Sequence, residues 1–161
     1  NSAYQIPLPF KPSLSLEYDY ASGDSNPNDR RLQTFDPLFP FGHFYQGHAD
    51  VFSWKNGQDL STGLRLELAK GLNAHVDYHH FRLVHARDAW YDAAMTSLAR
   101  DNSGVSGKHV ADEVDVYFKT TFREVLKLWF GYSHFIPGSF AKSTASSKEK
   151  RFAFFQATLD F

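Results

Sequence analysis

The sequence contains no cysteine, which excludes a disulfide framework and thiolate metal sites. It has no apolar run approaching the ~18 residues of a membrane-spanning helix. Neither sign of charge dominates: 17 Lys and Arg stand against 18 Asp and Glu, a net charge of -1 with histidines neutral. That balance supplies no concentrated basic face, so no nucleic-acid partner is expected. A G-x-S-x-G elbow, an H-E-x-x-H pair, a phosphate loop and an ordered Ser/His/Asp set are all missing, so no enzyme activity is expected. The chain opens on Asn1 without a signal peptide, and is therefore expected to be trimmed or to be a segment of a longer protein. Its 161 residues fit a single domain or one piece of a larger one.

Aromatic residues are abundant instead. Sixteen Phe, 8 Tyr and 3 Trp make 17% of a chain whose mean hydropathy is nonetheless negative. Alternation resolves the conflict. Leu14, Leu16, Tyr18 and Tyr20 alternate with Ser13, Ser15, Glu17 and Asp19, and the same period of two runs through 60–68, 72–78, 109–118, 126–132 and 151–161. Each run reads as a strand with one apolar and one polar face.

The connections alternate too. Lys70–Asn73 and Thr120–Glu124 are tight, whereas about 23–58, 84–107 and 136–150 are long and rich in Gly, Ser, Asn, Asp and Pro. Long extracellular loops and short periplasmic turns mark a transmembrane barrel, and compact soluble β proteins rarely carry structureless loops of this length. The polar faces carry too many charges for a dry core. Tyr20, Tyr132 and His134 fall near one end of the strands and Phe118 and Phe161 near the other, as aromatic girdles would. The sequence therefore predicts an all-β, antiparallel, up-and-down transmembrane β-barrel, of which residues 1–161 form about six strands. A soluble lipocalin-like carrier, with its apolar faces turned inward, is the competing fold.

The last run ends in Phe161, with Leu159, Ala157 and Phe155 stepping back by two. This resembles the C-terminal signal strand read by the barrel assembly machinery of bacterial outer membranes. More specific are Glu17-Tyr-Asp-Tyr-Ala-Ser-Gly-Asp24, Pro27-Asn-Asp29, Thr34-Phe-Asp-Pro-Leu-Phe-Pro40, Gly42-His43 with Tyr45, and Asp88-Ala-Trp-Tyr91. Together these resemble the alginate export family across most of residues 13–161. The resemblance implies a many-stranded outer-membrane porin with a charged lumen and loops that restrict it, this chain being its C-terminal part. It implies lipid and lipopolysaccharide as surroundings, and the remaining strands as partners supplied by missing chain or by another protein.

On the predicted lumen face Glu17, Asp19, Glu67, Asp77, Glu113, Asp115 and Asp160 stand against Arg65, Lys119, Arg123 and Lys127. That balance is less basic than export of a polyuronate calls for. Arg65, Lys127 and Arg123 are the expected anion-attracting positions, with Glu67, Glu113 and Asp115 as their counter-row. The expected function is passage of hydrophilic, anionic or sugar-derived solutes. The alternative is a structural or binding module closed by a partner or by self-association, without transport of its own.

No cofactor is required by this reading. His75, His79 and His109 could in principle gather a transition metal, but lack tight pair spacing and read as wall histidines bonded to Asp77, Glu113 and Asp115. Asp24, Asn26, Asn28 and Asp29 offer alternate oxygens like the start of a calcium loop. Asp29 and Phe35, however, stand where such a loop wants Gly and Glu, so Asx-type turns compete with calcium there. Phe35, Phe39, Phe41, Phe44, Tyr45, Phe52 and Trp54 crowd the first long loop and are expected to pack it rather than to line a sugar rim. Lys142, Lys148, Lys150 and Arg151 are a basic stretch suited to lipopolysaccharide phosphates, to anionic solute or simply to solvent.

Overall fold

The computed structural model describes residues 2–39 and 45–161. One antiparallel sheet dominates it. The strands are β1 (Ser2–Gln5), β2 (Ser13–Ala21), β3 (Gly57–Ala69), β4 (Leu72–Leu83), β7 (His109–Phe122), β8 (Leu126–Pro137) and β9 (Lys150–Leu159), adjacent in chain order. Between β4 and β7 the chain makes a separate hairpin of β5 (Ala89–Tyr91) and β6 (Ser97–Arg100). Among the described residues one helical segment, α1 (Ser139–Thr144), lies between β8 and β9. The large sheet is a meander open at β1 and β9.

Register fixes what each face carries. On one face Leu14, Leu64, Val76, Val116, Tyr132 and Ala153 form a continuous row, and Leu66, Ala74, Phe118, Phe130 and Phe155 form another. Large apolar side chains of this face, among them Leu14, Leu16, Tyr18, Tyr20, Val76, Phe130, Phe155 and Leu159, are exposed. An apolar face this broad and uncovered needs lipid against it. Tyr18, Tyr20, Tyr78 and Tyr132 cluster towards the end that carries the long loops, while Phe118, Phe122, Phe130 and Phe155 lie towards the short turns. The opposite face is the inner one, because the long loops fold onto it. The carrier alternative, which needs apolar side chains inward, is overturned by this arrangement.

The buried apolar cluster is not in the middle of the sheet. It sits at the loop end of the inner face, where Phe81, Leu83, Val110, Ala111 and Phe135 meet Phe52 from the first long loop, Trp90 from the second and Phe140 and Ala141 from α1. Phe52 stacks on Phe81 at 4.5 Å between ring centroids. All three long connections thus share one core, which orders segments that composition alone would leave as loops.

The short turns have their own chemistry. Lys70–Gly71 joins β3 to β4 with Gly71 at φ +79°, the left-handed region that glycine enters without strain. Arg123, Glu124 and Val125 join β7 to β8, the first two with positive φ (50° and 64°) and neither of them a glycine. Arg123 is therefore a turn residue, within the tight connection expected at Thr120–Glu124, its guanidinium 5.3 Å from the Phe122 ring centroid, and not the anion-attracting wall position expected of it.

Candidate pore wall and loop constriction

The inner face is layered by charge. Reading across β2, β3, β4, β7 and β8, the row nearest the loops is Asp19, Asp59, Phe81, Ala111 and Pro137, followed by Glu17, Ser61, His79, Glu113 and Phe135. The next row is Ser15, Gly63, Asp77, Asp115 and Ser133, and then come Ser13, Arg65, His75, Tyr117 and Gly131. Glu67, Asn73, Lys119 and Trp129 follow, and Lys127, paired with Asp160, is nearest the turns. Acids therefore predominate in the loop half of the wall, where Lys150 of β9 stands opposite Phe135, and cations in the turn half, where Glu67 and Asp160 also stand.

Hydrogen bonds fix these side chains. His79 Nδ1 lies 2.7 Å from Asp59 Oδ2, and the Tyr117 hydroxyl donates to Asp77 at 2.8 Å. His75 stacks on Tyr117 at 4.5 Å. The wall histidines thus pair with Asp59 and an aromatic ring rather than with Asp77, Glu113 and Asp115. His109 is not on the wall at all; it faces outward beside Asp112.

Glu113 and Asp115 do not act as a counter-row to the wall cations. They hold the backbone of the first long loop: the Ala49 amide donates to Glu113 Oε1 at 3.0 Å and the His48 amide to Asp115 Oδ2 at 3.2 Å. Gly47 makes this approach possible. Its φ is +78°, and a Cβ there would lie 2.4 Å from Glu113 Oε1. The strap so formed lowers the His48 ring edge-on against Tyr117 (4.6 Å), Trp129 (5.2 Å) and Phe154 (5.2 Å).

On the β2–β4 side of the strap is a cleft of about 310 Å³ lined by Ser15, Glu17, Arg65, His75, Asp77 and His79 among others. A second cleft of about 290 Å³ lies beyond it, with Asn73, Lys119, Lys127, Trp129, Gln156 and Thr158 in its lining. Lys119 Nζ sits 4.5 Å from the Trp129 ring centroid and 5.2 Å from that of Tyr117, a cation over two aromatic faces. Of the remaining sequence candidates, Arg65 donates twice to Asn73 Oδ1 (3.1 and 3.0 Å), Lys127 pairs with Asp160 at 2.6 Å, and Glu67 pairs with Lys11 at 2.9 Å. Leu159 ends β9 and Phe161 lies exposed beyond it.

Above the wall, the side chain of Asp88 is the hub of the loops, 1% exposed. Its two oxygens accept from the Asp24 amide (2.8 Å), Thr34 Oγ1 (2.5 Å), the Ala89 amide (2.6 Å), the Tyr91 hydroxyl (3.2 Å) and Arg100 (3.2 Å). Burial, with the Asp88 charge beside it, pushes the Tyr91 phenol up to about 12, which keeps it a donor. Trp90 Nε1 donates to the Val51 carbonyl at 2.7 Å. Asn56, at φ 51°, bonds the His85 amide and the His85 and Ala89 carbonyls, and a Cβ on Gly23 would collide with its amide oxygen.

Asp24, Asn26 and Asp29 use their side-chain oxygens on amides two residues on, at 3.0, 3.3 and 2.9 Å, forming successive Asx turns through the stretch that holds Asn28. Phe52 is buried and Tyr45 stacks on Trp54 at 5.2 Å, but Phe35 and Phe39 are exposed, so packing accounts for only part of that aromatic group. Gly42, His43, Phe41 and Phe44 lie outside the described residues. Sequence reasoning missed the Asp88 hub and the His48 strap. The Asp88-Ala-Trp-Tyr91 run was visible as a motif, yet only the fold shows that Asp24 and Thr34, from the other quoted run, converge on it.

An antiparallel meander with an exposed apolar face, and a charged face onto which its own long loops fold, is the wall of a transmembrane β-barrel. The sequence narrows this further. The family model for alginate export matches residues 2–155, and the chain belongs to that family. The family is one of outer-membrane export proteins, not of enzymes. No curated protein matches the chain.

Proposed function

We propose that this chain contributes the wall and constriction of a bacterial outer-membrane channel for hydrophilic solutes, anionic or sugar-derived. The observation that carries the reading is Lys119 set over Trp129 and Tyr117 beside the cleft that Lys127 also lines. An aromatic face accepts the apolar side of a sugar ring, and the two ammonium groups attract its carboxylate or phosphate. The acidic half of the wall is partly spent on holding the strap, so the cationic half sets the selectivity. The exposed end of β9 at Leu159 and Phe161 serves recognition by the assembly machinery, and Lys142 and Lys148 face the lipopolysaccharide.

The test is conductance of the detergent-purified protein in planar bilayers. Ion currents blocked by a uronate oligosaccharide at lower concentration than by its neutral counterpart support the reading. Lys119→Glu with Lys127→Glu is expected to abolish that difference and to shift permeability several-fold towards cations, more at low salt than at high. Absence of any conductance from well-folded protein would sink it and favour a structural module.

A further inference from the structure

The outer face of the sheet is apolar through its middle rows but carries a polar cluster at its loop end. His80 on β4 and Asp112 on β7 oppose each other in register, one row beyond Tyr78, and His109 joins them. Regular alternation forbids this, because residues three apart on a strand point to opposite faces. The bulge between the pairs Phe81–Ala111 and Arg82–His109 absorbs Val110 and turns His109 outward. Gly138 backs the ring closely: a Cβ there would lie 2.7 Å from His109 Cγ.

The three side chains lie against one another. The imidazoles of His80 and His109 stack at 4.6 Å. His80 Nδ1 is 2.7 Å from Asp112 Oδ1, and His109 Nε2 is 3.2 Å from Asp112 Oδ2. The second approach is not aligned as a hydrogen bond, and Nε2 is enclosed without a hydrogen-bond partner. Two ligands at about 2.1 Å from one ion stand roughly 3 Å apart, so that spacing suits a shared cation. One ligand atom from each residue falls within 4.8 Å of the others. The Tyr78 hydroxyl donates to Asp112 Oδ1 at 2.7 Å, the kind of outer hydrogen bond that orients a ligating carboxylate. Side-chain exposures of 30%, 32% and 25% for His80, His109 and Asp112 put the cluster at the surface, and a small turn of the His109 ring brings its covered Nε2 to an ion arriving from solvent.

We propose that His80, His109 and Asp112 form a binding site for a divalent transition-metal ion, completed by water. Two imidazoles and one carboxylate suit Zn²⁺, Ni²⁺ or Cu²⁺ better than Ca²⁺ or Mg²⁺, which want oxygen alone. Charged or titratable neighbours on this face are Arg82, opposite His109 in register, and His134, in the adjoining row with Tyr78, itself opposite Arg151 and bonded to Glu149; the Arg82 charge weakens the site. His80 precedes the second long loop and His109 follows it. A bound ion therefore clips together the two roots of residues 84–108 from outside the pore, at the level of the lipid headgroups.

Zn²⁺ alone is the probe, titrated calorimetrically into detergent-purified protein made without a histidine tag. One saturable site per chain is expected. His80→Gln, His109→Gln and Asp112→Asn should each weaken it at least ~10-fold and Tyr78→Phe by about 10-fold, while His134→Gln leaves it unchanged. Saturable binding retained in the His109→Gln, Asp112→Asn double variant, or absent from the wild type, overturns the proposal. Should a variant fail to fold by circular dichroism, the wild type still decides. Tryptic cleavage at Arg87 and Arg100 slowed by Zn²⁺ and restored by EDTA supports the clip; cleavage indifferent to Zn²⁺ refutes it.

Discussion

The Asp24 amide donates to Asp88 Oδ2 at 2.8 Å, joining two long loops across 64 positions of sequence. The same carboxylate collects four further donors, and it is almost wholly enclosed. It therefore holds the cap of the wall together.

Asp88→Ala orphans those donors at once. A loss on the order of 3 kcal/mol is expected, from several buried donors each left unsatisfied at about 1 kcal/mol or more. Limited proteolysis should show cleavage in 22–39 and 84–108 at protease levels the wild type resists, while far-ultraviolet circular dichroism keeps the strand signal. Unchanged protease resistance would show that the hub is dispensable.

Gly47 controls the strap. Gly47→Val places a β-branched residue at positive φ and pushes its side chain into Glu113, at a cost of roughly 1–2 kcal/mol for the backbone alone. The strap should leave the wall and the single-channel conductance should rise. A conductance equal to that of the wild type would mean that 45–50 does not narrow the path.

Tyr91 links the loops to alkaline pH. Its folded pKa, about 12, lies above the ordinary 10, so the fold favours the neutral phenol. That contribution is complete below pH ~10 and is lost as pH rises from ~10 to ~12, where the unfolded chain ionises first. Loop order followed by near-ultraviolet circular dichroism should fall in this window, and Tyr91→Phe should flatten the fall. Identical curves for the two proteins would remove Tyr91 as the cause.

The β7–β8 turn can be improved. Glu124 occupies a left-handed conformation at φ 64°, which costs a non-glycine residue about 1 kcal/mol. Glu124→Gly is expected to recover roughly that much, read as a higher midpoint of denaturant unfolding. A lower midpoint would show that the glutamate makes a compensating contact.

The six long strands were legible because alternation is a local signal and one face of each meets lipid. β1 was not, since Ser2–Gln5 is four residues with no sustained pattern. The helix at 139–144 was hidden among Ser, Lys and Thr, and only the burial of Phe140 and Ala141 against the shared core explains it. The strap left no trace in residues 45–50, because its partners Glu113 and Asp115 lie some sixty positions away. His109 was assigned to the wrong face for a related reason: the bulge at Val110 inverts its direction without altering the composition around it.

The wall carries Asp19, Asp59, Glu17, Asp77 and Asp115 in its loop half, and Arg65, Lys119 and Lys127 beside Glu67 and Asp160 in its turn half, so its negative charge is concentrated at the loop end. In the proposed channel cations would gather at the loop end and anions, more weakly, at the turn end. Such a path would rectify current rather than behave as an ohmic resistor, and its easy direction would report which way up the protein sits in the bilayer.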